Sequence, residues 1–130
     1  MRMGLDMYLY SYKEAEKREY KDREHWIDWR KANAIHGWFV TEIQGGVDEW
    51  GEYPVPREKL IELLELCTAA HDGDWLESSK LMPTMPGPFF GSTEYDDHYY
   101  WELRNTISQL TWLLSSSKSK RVYFYYQASW

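Results

Sequence analysis

Nine residues near the start, GLDMYLYSY at positions 4–12, alternate: Leu5, Met7 and Leu9 fall on one side, and Asp6, Tyr8 and Tyr10 on the other. A period of two predicts a strand with one apolar face. Its counterpart lies at the far end, where VYFYYQ at 122–127 is β-branched and aromatic. Helical spacing dominates between them. Two strands are too few for a sheet that stands alone. They must pair with each other over the helices, with short strands in the connectors, or with another subunit. The class that follows is α+β: three main helices with a small sheet formed by the N- and C-terminal strands, in a single domain spanning 1–130.

The first helix is expected over EHWIDWRKANAIHGWFVTEIQ, residues 24–44, with Trp26, Trp29, Arg30, Asn33, His36, Gly37 and Val40 on one broad stripe. Gly45-Gly46 ends it. The charged run before it, KEAEKREYKDRE, fits an exposed helical arm or a mobile loop, with Glu14–Arg18 and Glu19–Arg23 as i,i+4 pairs. Pro56 opens a second helix through about Ala70, burying Leu60, Leu63, Leu64 and Cys67. His71 and Asp72-Gly73 close it. Three prolines and two glycines within 78–92 predict an ordered loop. Thr93, with Asp96 three residues on, predicts the cap of a third helix running to about Ser115. Its stripe is Tyr99, Tyr100, Leu103, Ile107, Leu110 and Leu114.

Composition narrows the function. Cys67 is the only cysteine, so neither an internal disulfide nor a cysteine-based zinc site can form, and a reducing, cytoplasmic setting is expected. No apolar run approaches the roughly 20 residues needed to span a bilayer, and the N-terminus lacks the stretch of a signal peptide. Residues 41–103 carry three Lys/Arg against fourteen Asp/Glu. Phosphates would be repelled there, which disfavours nucleic acid. The same surface suits a basic partner, or simply solubility. Eight Trp, eleven Tyr and four Phe are more rings than a core of this size hides easily. Rings with a polar tip favour interfaces and ligand walls. A homo-oligomer, most simply a dimer, is expected.

Two stretches carry candidate chemistry. In GPFFGSTEYDDH, Phe89 and Phe90 are expected to staple the loop to the core, while Ser92 and Thr93 offer hydroxyls and Tyr95 a ring. Glu94, Asp96 and His98 are metal-ligand types, but their spacing matches no zinc or calcium signature, so no metal is expected. In WRKANAIHGWF, Arg30, Asn33 and His36 form a donor-rich row beside Trp29. That row suits a phosphate, carboxylate or base. Alternatively, Asn33 and His36 tie the helix to a neighbouring loop. Lys31 would lie toward solvent. The two stretches are expected to form opposite walls of one pocket, with Arg30 either available to a ligand or paired with Glu94 or Asp96. His25, His36, His71 and His98 are possible general bases, yet no recognised catalytic motif is present. No cofactor is implied.

With GLDMYL, WRKANAIHGWF and FFGSTEYDDHYYWEL together, the chain resembles a family of small, uncharacterised proteins encoded by bacteriophages and prophages. The likeness runs from Leu5 to the final strand. It implies a phage accessory protein acting in the bacterial cytoplasm, and it transfers no functional residue. Three readings follow: a ligand-binding protein that sequesters a nucleotide-derived immune signal, an antagonist docking its acidic surface on a host protein, and a nucleotide-cleaving enzyme using His36 or His98.

Overall fold

The computed structural model describes residues 4–130. The start of the stretch read as lacking a signal peptide, residues 1–3, lies outside them. The class is α+β, and the two predicted strands do pair with each other. β1 (Asp6–Tyr12) and β4 (Tyr123–Ser129) run antiparallel, with Asp6 opposite Ser129 and Tyr12 opposite Tyr123. They form the middle of a four-stranded sheet. β2 (Glu24–Arg30) flanks β1, and β3 (Tyr53–Val55), a short strand in the connector, flanks β4. Among the described residues four α-helices accompany it: α1 (Asn33–Glu42), α2 (Arg57–Asp72), α3 (Trp75–Leu81) and α4 (Asp97–Ser115).

β2 corrects the reading of residues 24–30 as helix. Leu9 faces Ile27 and the next residue, Tyr10, faces His25, so Trp26 is an extra residue in the ladder. This is a β-bulge, and it places Trp26 and Ile27 both in the core. Buried residues then fall at 26, 27 and 29, a spacing that imitates one face of a helix. The helix proper begins only at Asn33, after Lys31 turns through a left-handed φ of 55°. Its end is as expected. Gly45 and Gly46 are left-handed, and the Gly46 amide closes on the Val40 carbonyl at 2.8 Å.

One face of the sheet packs on the helices. Met7, Leu9, Ile27, Trp29, Phe124 and Tyr126 share a core with Phe39 of α1, Leu60, Leu63 and Cys67 of α2, and Leu103, Leu110 and Leu113 of α4. The Phe39 and Tyr126 rings stack 3.7 Å apart, and the Trp29 indole donates to Thr106 Oγ1 at 2.9 Å. The other face carries Tyr8, Tyr10, Tyr12 and Tyr125. Residues 13–23 fold back toward it as a loop with one 3-10 turn, Tyr20–Asp22, rather than as a helical arm. Arg18 donates to the Tyr125 hydroxyl and Arg23 to the Tyr12 hydroxyl, both at 2.8 Å. Glu52 accepts from Tyr10 at 2.5 Å, Tyr12 at 3.1 Å and Arg23 at 3.2 Å. The predicted loop over 78–92 begins instead within α3, whose cap is Asp74 accepting from the Glu77 amide. Phe90 is buried and Phe89 is exposed, so only one of the two rings staples the loop.

Candidate functional site

The stretches WRKANAI and GSTEYDDH do meet. Between them lies a cavity of about 20 Å³, lined from one side by Lys31, Asn33 and Ile35, and from the other by Ser92, Glu94, Asp96 and His98. It is too small for more than a water-sized group. Beside it opens a groove of about 410 Å³, between the end of β2 and the first turns of α4. Glu102, His98 and Lys31 line both spaces.

The helix starts at this site one residue after its true cap. Asp96, not Thr93, accepts from the Tyr99 amide at 3.0 Å. Asp97 occupies the first turn, where negative charge suits the helix dipole. Among the described residues no group of three potential ligands is placed to hold a metal.

The candidate residues divide. Arg30 and Trp29 line the groove. Arg30 bonds to Asp6, its register partner across β1, at 2.8 Å, rather than to Glu94 or Asp96. Trp29 is buried, its ring against Phe39 and Tyr126, so it forms a wall and offers no open stacking face. Asn33 spends its amide on the neighbouring loop. It donates to the carbonyls of Phe90 at 3.1 Å and Ser92 at 2.8 Å, and accepts from the Met85 amide at 3.0 Å. His36 is wholly enclosed, with Nε2 2.8 Å from Asp48 and Nδ1 2.6 Å from the Tyr126 hydroxyl. Both are therefore structural ties, and His36 reaches neither space. Ser92 Oγ accepts from the Glu94 amide at 3.0 Å. Thr93 offers its carbonyl to Thr84, and Tyr95 accepts from the Thr84 amide while its ring packs on Tyr99.

Sequence reasoning passed over the residues that make the groove chemical. Glu102 is 7 % exposed, and its Oε2 is buried without a hydrogen-bond partner. Its other oxygen is 3.7 Å from His98 Nε2. Burial pushes this carboxyl up to about 7. A signal for it exists. Tyr99, Leu103, Thr106 and Leu110 form the buried stripe of α4, and position 102 belongs to it. A carboxylate where a core residue is expected breaks the local pattern and singles out the position. Lys31 is the second: expected toward solvent, it is half-buried and lines both spaces. It makes no ion pair among the described residues, and its chain runs between two left-handed glycines. A Cβ at Gly4 would come within 2.8 Å of Lys31 Cε, and one at Gly91 within 3.2 Å of Lys31 Cβ. A left-handed lysine held this way is a strained conformation with a built surround. Trp101 is the third, an indole 51 % exposed at the groove.

The groove thus combines the half-exposed Trp101 indole, with His98 stacked beside it, Lys31, an Arg30 paired with Asp6, the carboxylate of Asp28, an amide at Asn105 and a buried carboxyl pushed up to about 7. Comparison of the chain with protein-family models, with curated proteins and with solved structures gave no match.

Proposed function

We propose that the protein binds a nucleotide-like small molecule in the groove between β2 and α4. The observation that carries this reading is Glu102: a buried carboxyl oxygen with no partner, bordering a space that also presents Lys31, Arg30 and Trp101. An unpartnered acceptor in low dielectric favours a ligand that brings N–H donors, as a nucleobase edge does. Trp101 offers the stacking face, and Lys31 the charge for phosphate, with Arg30 alongside. In the phage setting that the resemblance implies, the reading extends to a nucleotide-derived host signal and to its sequestration in a bacterial cytoplasm.

The enzyme reading draws on the same pair, since a carboxyl near pKa 7 beside His98 suits general acid–base work. In that case His98 and not His36 takes part. The oligomer remains part of the proposal. Trp75 and Trp112 are 64 % exposed each and invite a partner surface, so light scattering should exceed the 15.7 kDa monomer mass at high micromolar protein. A monomer at that concentration refutes the dimer and leaves the groove untouched.

Titration calorimetry with guanosine and adenosine monophosphates and with cyclic dinucleotides tests the ligand reading. Binding should strengthen as pH rises through about 7, and fall at least tenfold in Trp101→Ala. Absence of heat with all of them, together with native mass spectra of protein from infected cells that show no adduct, would overturn it. Multiple-turnover product would decide for the enzyme.

A further inference from the structure

On the sheet face turned away from the helices, Tyr10, Tyr12 and Tyr125 form a closed ring cluster, 0 %, 1 % and 5 % exposed. The loop that joins β1 to β2 lies over them, yet every residue from 13 to 22 in it is exposed. The loop reaches the rings through two guanidiniums. Arg23 stands 4.2 Å over the Tyr10 ring and donates to the Tyr12 hydroxyl at 2.8 Å. Arg18 stands 5.0 Å from the centre of the Tyr125 ring and donates to its hydroxyl at 2.8 Å. Both meet one carboxylate, Glu52, at 3.2 Å from Arg23 and 3.9 Å from Arg18. Tyr10 and Tyr12 hold that carboxylate from the sheet side, each donating its hydroxyl.

Ring faces, hydroxyl acceptors and a carboxylate are the partners that a planar guanidinium uses best. The loop has little else to keep it there. Its own ion pairs, Lys17–Glu14 and Lys21–Glu19, are exposed and stay within the loop. Its ends are fixed by the ladder, with Ser11 opposite Glu24, so it can swing without breaking the sheet. The other cations on this side are answered from the sheet itself. Arg30 bonds to Asp6, and His25, beside Tyr8 and Tyr10, lies 3.4 Å from Asp28. With the loop swung away, the cluster keeps the Glu52 charge and loses the two cations that answer it.

We infer that Tyr10, Tyr12, Tyr125 and Glu52 form a binding site for arginine side chains, filled here by the chain's own loop and open to an arginine-bearing segment of another protein when the loop swings away. The Arg18 side chain is 44 % exposed and that of Arg23 19 %, so displacement starts at Arg18. Lysine would lose both the planar contact with the rings and the forked contact with Glu52. The site is separate from the Glu102 groove and does not depend on what occupies that groove.

The double variant Arg18→Ala, Arg23→Ala frees the site, and its melting curve and circular dichroism check that the fold persists. The probe is a synthetic peptide with the loop's own sequence, KEAEKREYKDR, read by calorimetry and by the ring resonances of Tyr10 and Tyr125. It should bind the double variant saturably, and more tightly than wild type, whose own arginines compete. Replacing both peptide arginines with lysine should weaken binding by roughly tenfold or more, as should Glu52→Gln added to the double variant. Wild type supplies a second measurement, through the Arg23 Nε–H resonance that marks the bond to Tyr12. Millimolar arginine peptide should move it toward the position of free arginine, and the lysine peptide should not. No saturable binding to the folded double variant, equal binding of the lysine peptide, full affinity with Glu52→Gln, or an unmoved Arg23 resonance would each overturn the inference and leave the two arginines as a structural clasp.

Discussion

His36 and Glu102 are both ionisable side chains taken out of water, and their surroundings treat them in opposite ways. His36 has a partner on each ring nitrogen. Asp48 can only accept, so Nε2 donates to it, and Nδ1 then accepts from the Tyr126 hydroxyl. That arrangement needs the neutral imidazole, and burial, opposed by Asp48, lowers its pKa below the ordinary 6.5. Phe90, Tyr126 and Trp130 surround the ring. Glu102 has one distant imidazole and an oxygen with nothing. A satisfied buried group fixes the fold; an unsatisfied one at a groove costs stability and is a candidate to meet a ligand.

The contrast is broken most severely by removing the satisfied group. His36→Ala strands the Tyr126 hydroxyl and Asp48 and opens a cavity among rings, and should cost roughly 3–5 kcal/mol in urea denaturation. A loss below about 1 kcal/mol would show that His36 is not a tie. Next is Asn33→Ala, which releases three hydrogen bonds holding the 85–92 loop. It should cost roughly 2–3 kcal/mol and speed hydrogen exchange at Met85.

Glu102→Gln should act with the opposite sign. A carboxyl whose folded pKa, about 7, exceeds its ordinary 4.5 contributes stability below 4.5 and loses it as pH rises through 7. At pH 8 the substitution should therefore stabilise the fold by roughly 1–3 kcal/mol while abolishing nucleotide binding. Equal stability of both proteins at pH 8 would mean that Glu102 is not strained. His36 slopes the other way. Its contribution is full above 6.5 and is lost as pH falls toward the lowered folded value. In the wild type the two slopes oppose each other just below 6.5, and Glu102→Gln should unmask the acid loss due to His36. The smallest effect is expected of Asp48→Asn. It keeps an acceptor for Nε2 but removes the charge, so about 1 kcal/mol should be lost and the His36 pKa should fall further, as an NMR titration would register.

How much of this was legible in the sequence depends on which period a segment kept. β1 kept its period and was read correctly; the α4 stripe was right at Tyr99, Leu103 and Leu110, but its buried face runs through Glu102, Thr106 and Leu113 rather than Tyr100, Ile107 and Leu114. β2 did not keep its period, because the bulge at Trp26 turned an alternation into a three-residue step and disguised a strand as the front of a helix. Asp96 and Thr93 are both good caps, and only the chain's path decides between them. The two stretches expected as pocket walls do meet, around a water-sized cavity, yet most of the named polar atoms are committed within the fold. Trp101 and Glu102 sat in a helix that was otherwise read well. Glu102 was missed because a single acid among apolar neighbours does not disturb helical spacing. The Tyr–Arg–Glu52 network was illegible, since it joins residues distant in the chain on a face that alternation alone would leave to solvent.

The pairing of β1 with β4 sets an order of events during synthesis. β1 leaves the ribosome early and can close on β2, a local partner. Its other edge must wait until β4 emerges, since Asp6 and Ser129 are opposite neighbours. Through that interval a row of unpaired amides and carbonyls on an aromatic strand is open to other chains. Fast translation and a low concentration of nascent copies should therefore raise the yield of soluble protein more than a cooler growth temperature does.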